Sequence, residues 1–177
     1  MGFMKVKYVK DFEYDAFMIW IMLSDDDPSG VKNRAKSMGI SKTELKRIYG
    51  VEDYQDAKGY VENLAKKKYS KCEEDIDRVI PLYQKEWDKI NDTFSSEVEK
   101  VTGRKWKYNI YKVVVGPFHP GISTQEGDTV VRSAFEDSEG QKRITAHEIL
   151  MSHIWCIFFE KLSTAQTINE QIKRYLS

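Results

Sequence analysis

The sequence predicts an α+β protein, mainly helical with a small antiparallel sheet, on three observations. Apolar residues recur at steps of three and four through 73–101. Two β-branched and aromatic runs stand close together at 107–115 and 128–135. Breaks rich in Gly, Pro, Ser and Asp separate the periodic stretches, as at SDDDPSG (24–30) and FHPGISTQEG (118–127). The chain has 177 residues, enough for one domain with a buried core. Its 28 Lys+Arg balance 28 Asp+Glu, which excludes a wholly basic nucleic-acid coat and an acidic tail. The 41% hydrophobic and 12% aromatic residues argue against disorder.

The elements follow in order. Lys5 to Val9 reads as a short strand, and the apolar run Ala16 to Leu23 is too short to assign by periodicity. That run is also far below the roughly 20 residues of a membrane span. Acids at 11, 13 and 15 precede it, unlike a signal peptide, so a soluble cytoplasmic protein is expected. Helices are expected over about 31–37, 42–48 and 53–69, with a turn at Met38-Gly39-Ile40. The segment 73–101 reads as one long amphipathic helix, kinked or started at Pro81 and ended by Gly103. Two regions result: a helical one, 1–103, and a second, 104–177, packed together as one globular unit.

In the second region the strands 107–115 and 128–135 lead to Ser138, which with Gln141 forms a capping-box pattern for a helix over about 139–162. Ser163 with Gln166 repeats the pattern before a last helix, about 164–176. Met151, Ile154, Trp155 and Phe158 are expected in the core at helical spacing. Cys72 and Cys156 form no CxxC pair, and Cys156, in IWCIFF, is expected as a buried reduced thiol.

The informative stretch is His147-Glu148-Ile149-Leu150-Met151. In the H-E-x-x-H pattern two histidines four apart share a helix face and ligate zinc, and the Glu polarises the metal-bound water. Here Met151 stands at the second histidine's position. His153, six residues from His147, points about 120° away and cannot replace it on an unbroken helix.

With its preceding strands and following helix, this stretch resembles the zincin metallopeptidases, in particular the gluzincin branch, over about residues 105–177. The resemblance rests on HEILM, then eighteen residues, then Glu170, which follows Asn169. It implies a zinc-dependent peptide hydrolase in which His147 and Glu170 ligate zinc and Glu148 is the catalytic base. It further implies that Thr129, Val130, Val131 and Arg132, on an edge strand, hold an extended peptide substrate by strand addition. The motif departs from the family at Met151, whose thioether is a poor zinc ligand, so occupancy is in doubt. His119, in the loop between the strands, is the remaining recruit. With the metal lost, the same groove describes a catalytically impaired peptide-binding relative. Each residue also has a plainer reading: His147 as a hydrogen-bonded core histidine, Glu170 as part of a solvated helix face, His119 as a turn residue.

A second motif points elsewhere. Residues 31–48 have the spacing of a helix-turn-helix, with Ala35, Gly39, Ile40, Leu45 and Ile48 at the packing positions. Six basic side chains (Lys32, Arg34, Lys36, Lys42, Lys46, Arg47) stand against one acid, Glu44, a local charge of +5. The alternative function is therefore DNA binding, with Lys42, Thr43, Lys46 and Arg47 on the recognition helix. An ordinary helical hairpin with a solvated basic face has the same pattern.

Overall fold

The computed structural model describes residues 4–25, 27–118 and 127–176, with side chains as far as Ser163. The fold is α+β and mainly helical. Strand β1 (Lys5–Val9) is followed by α1 (Phe12–Leu23), α2 (Pro28–Ser37), α3 (Lys42–Leu45), α4 (Tyr54–Tyr69), α5 (Glu73–Asp88) and α6 (Asn91–Thr102). Strands β2 (Ile110–Gly116) and β3 (Thr129–Ser133) and the helix α7 (Ser138–Leu176) complete it. Among the described residues, no helix is long and apolar enough to cross a membrane.

The three strands form one sheet in the order β1-β2-β3, and both pairings are parallel, which corrects the expected antiparallel arrangement. Val6 lies opposite Tyr111 and Val113 opposite Val130, so a strand from the helical region joins the two later ones. The regions 1–103 and 104–177 thus share a sheet. A parallel sheet must be covered on both faces, because neither can be left as a solvated polar side. One face carries Val9, Val114 and Val131 against Tyr14, Phe17, Met18 and Ile21 of α1. The other carries Val6, Tyr8, Tyr111, Val113, Val115 and Val130. It packs on Ile76, Val79, Tyr83 and Trp87 of α5 and Ile149 of α7. A separate cluster joins α1, α2 and α4 through Ile19, Leu23, Val31, Ile48, Val61 and Leu64.

Local chemistry explains the element boundaries. Asp11 accepts the Tyr14 N–H and starts α1, the apolar run that periodicity alone left unassigned. Pro28 sits in the first turn of α2 after the cap Asp27, which moves its start upstream of the expected residue 31. The segment 73–101 is two helices, and the break falls at Lys89–Ile90, not at Pro81, which is accommodated inside α5. The reason lies with Asn91. Its Oδ1 accepts the Trp87 indole N–H at 2.9 Å and its Nδ2 donates to the Met4 carbonyl at 2.8 Å, fixing a turn against β1. Gln84 serves the free edge of β1 in the same way, accepting from Tyr8 N–H and donating to Val6 C=O, both at 3.0 Å. Those amides satisfy backbone groups that an open edge would offer to another strand.

Helix α7 differs most from expectation. Its first turn is capped by Asp137, whose carboxylate accepts the Gly140 N–H, rather than by Ser138 and Gln141. Gln141 is buried and accepts the Tyr8 hydroxyl at 2.8 Å. The helix then runs without a break through Ser163, whose hydroxyl donates to the Phe159 carbonyl at 2.9 Å instead of capping a new helix. The two expected helices are one.

Beneath β3, Arg132 and Glu136 form a buried two-point ion pair, with Nε donating to Oε2 at 3.1 Å and Nη2 to Oε1. Removing one member leaves an uncompensated buried charge. Glu136→Ala is expected to cost about 3–5 kcal/mol in urea unfolding. The double replacement Arg132→Met/Glu136→Leu is expected to recover most of it. A loss under about 1 kcal/mol for the single variant means that the pair is not desolvated in solution.

Candidate functional site

Helix α7 has two faces. Gln141, Thr145, Ile149, Ser152, His153 and Cys156 are buried, at the spacing of one helical stripe against α5 and the sheet. His147 is exposed and Glu148 and Met151 are half-buried. At 100° per residue, His147, Met151, Ile154, Phe158 and Leu162 lie about 140° to 180° from Ile149. They point away from the body. Ile154, Phe158 and Leu162 are 43%, 47% and 43% exposed, which corrects the expected core placement of Ile154 and Phe158. Trp155, half-buried, stacks on Phe159 at 5.6 Å between ring centroids and meets Phe158 edge-on at 5.7 Å. These aromatics pack along their own helix and not beneath the sheet.

The continuity of α7 overturns the expected metal site. His147 and Glu170 are on one helix, 23 positions apart, which at 1.5 Å per residue places them about 34 Å apart along the axis. No single ion reaches both. The side chain of Glu170 and the whole of His119 lie outside the described residues. Among the described residues, no three His, Cys, Asp or Glu side chains gather as a metal cluster. Glu148, the expected base, shares the helix with His147 and has no second ligand beside it at Met151.

The expected substrate strand differs in its exposure. β3 is at the sheet's edge, but Thr129, Val130, Val131 and Arg132 are all buried, and the guanidinium of Arg132 is held by Glu136. No exposed ladder remains on these residues for an added strand. His153, read from its spacing as unable to replace the missing ligand, is a buried packing residue. Its ring lies 4.5 Å from that of Trp106, Nε2 is 3.2 Å from the Thr102 hydroxyl, and burial lowers its pKa.

In the alternative site, α2 and α3 do form a hairpin about Gly39, with Ala35, Ile40 and Ile48 buried as the motif requires. The second helix, however, has only residues 42–45 before a series of turns to Gly50, itself in the left-handed region (φ 75°). Lys42, Thr43, Lys46 and Arg47 are all exposed, and Arg47 lies over the Tyr60 ring at 5.2 Å. A one-turn helix is short for reading the major groove.

Sequence reasoning missed a buried carboxyl. Asp15 is 1% exposed, and its Oδ2 accepts the Tyr69 hydroxyl at 2.6 Å. The pair lies against the backbone of Gly116 at the end of β2. A Cβ there would come within 1.8 Å of the Asp15 carboxylate, so only glycine fits. Burial raises the Asp15 pKa from 3.8 to about 7, against the opposing bond from Tyr69. The signal was the last of the three acids at 11, 13 and 15, which directly abuts the apolar run.

Neither a protein-family model, nor a curated protein, nor a solved structure matches this chain.

The Asp15 shift has a definite sign. The folded pKa lies above the unfolded one, so the group's stabilising contribution is full below about pH 4 and is lost as pH rises toward 7. Asp15→Asn should therefore melt higher than the parent at pH 8 and gain nothing at pH 4. A difference in melting temperature that is the same at both pH values contradicts a titrating carboxyl.

Proposed function

We propose that the protein is a protein-binding module, the peptide-binding rather than the hydrolytic branch of the metallopeptidase resemblance, and that the outer face of α7 is its recognition element. The observation that carries this reading is the row Met151, Ile154, Phe158 and Leu162, directed opposite to the buried face and flanked by Trp155. Isolated exposed apolar residues are ordinary; a continuous row of them on one helix marks a contact surface. Its fit is to an amphipathic helix of a partner, whose apolar side chains would pack between these ridges. Trp155 and Phe158 are the residue types that dominate such contacts.

Metal-dependent peptide hydrolysis is the second reading, favoured by one observation: His147 is exposed on that face, with the half-buried Glu148 next to it. It requires zinc ligands other than Glu170, from residues outside those described or from a partner.

Two measurements separate these readings. Replacing Phe158 by the photo-crosslinker p-benzoylphenylalanine in the producing cell should give one dominant adduct, lost on Ile154→Glu, while the same probe at exposed Lys66 gives none. Ile154→Glu should leave the melting temperature within a few degrees of the parent, because surface changes are typically worth under about 0.5 kcal/mol. No adduct above the Lys66 control contradicts the binding reading. In equilibrium dialysis, zinc should stay well below one equivalent per chain. One tightly bound equivalent, with peptide hydrolysis abolished by Glu148→Gln, establishes the hydrolase instead.

A further inference from the structure

We infer that the groove between α2 and α3 is a second binding site, separate from α7, and that it takes an acidic peptide segment carrying an apolar anchor residue. The groove opens as a slot of about 300 Å³ with Val31, Leu45 and Tyr49 as its apolar walls and Lys32, Lys42 and Lys46 around it. It continues into a wider depression of about 530 Å³ that reaches Lys36 and Ile40. Among the described residues, no acid lines either part.

Among the described residues, the neighbouring acids Glu44, Asp25 and Asp27 are engaged elsewhere. Glu44 closes a capping box, accepting the Ser41 N–H at 2.7 Å, and those bonds together with Lys68 and Lys67 hold its carboxyl below the usual range. Asp25 pairs with Arg34 at 2.7 Å, and Asp27 caps the Ser29 and Gly30 N–H groups. Lys32, Lys36, Lys42 and Lys46 are exposed and form no ion pair among the described residues. Four like charges around an apolar slot repel one another and attract an anionic partner. That field favours an acidic ligand, and the slot selects one with a Leu- or Phe-sized side chain between its acids.

Duplex DNA satisfies the lysines but not the slot, since a phosphate backbone has nothing apolar to insert. The one-turn α3 also lacks the length to carry base contacts. The site is concave, whereas membrane-surface binding uses protruding apolar residues.

The test uses the intact chain and three fluorescent probes, read by anisotropy at low and physiological salt. They are the peptide EEDLFDEE, its anchorless counterpart EEDSSDEE and a random DNA duplex. EEDLFDEE should bind and EEDSSDEE should bind at least about tenfold more weakly. Lys32→Glu/Lys42→Glu should weaken EEDLFDEE at least about tenfold, and Tyr49→Ser should reduce the preference for the anchored peptide. The charge reversal Lys161→Glu, on α7, should change nothing. No binding of EEDLFDEE at low salt overturns the proposal, and so does equal binding of both peptides. A duplex that binds more tightly than EEDLFDEE, with the same dependence on Lys32 and Lys42, assigns the groove to nucleic acid instead.

Discussion

A parallel sheet of three strands survives in water only if both of its faces are covered, and that requirement organises the whole molecule. β1 and β2 run the same way, so the chain between them must cross from one end of the sheet to the other. Helices α1 to α6 fill that crossover. α1 takes one face, and α5, with the start of α7, takes the other. The free edge of β1 is occupied by side-chain amides from Gln84, and Asn91 holds the strand's start. The Tyr8 N–H and the Val6 and Met4 carbonyls are thereby supplied without another strand.

The same requirement defines what is left over. α7 covers the sheet with a single stripe of small, polar and aliphatic residues, so its largest apolar side chains end on the far side. Aromatic residues that neighbour one another along the helix cannot all reach one core. Some of that surface is satisfied by ring packing among Trp155, Phe158 and Phe159, and the rest faces outward. His147 on this outer face and the half-buried Glu148 beside it resemble part of a metallopeptidase signature, yet the helix that presents His147 also carries Glu170 away from it. The functional reading therefore turns on geometry rather than on composition. Chain-wide neutrality likewise hides a local field, because Asp25, Asp27 and Glu44 beside α2 and α3 are committed to caps and to Arg34.

Much of the fold was legible in the sequence. Lys5–Val9, α4 and the strand cores follow from residue type and from turn signals on either side. Strand direction was not, since β2 lies between β3 and a strand about a hundred positions earlier, and no local signal records that pairing. The break at 89–90 was hidden because Ile90 and Phe94 keep the apolar spacing across it; a hydrogen bond from Trp87 to Asn91 makes the turn. In α7 the capping pattern at Ser163 misled, because a serine hydroxyl can bond the carbonyl four residues back within a helix. Its outward face was illegible for a related reason. A helix with apolar residues on both sides gives no moment to say which side is buried. The site was the least legible, because a two-residue motif says nothing about where its third partner lies.

The continuity of α7 past Ser163 is the claim on which the rejection of the expected zinc pair rests. Spin labels at His147→Cys and Glu170→Cys, in a chain with Cys72 and Cys156 replaced, report the separation by electron–electron double resonance. An unbroken helix gives a narrow distribution centred at about 35 Å, from 1.5 Å per residue. A population well under about 20 Å, within what a folded-back second helix allows, contradicts the account and returns the two residues to a common pocket.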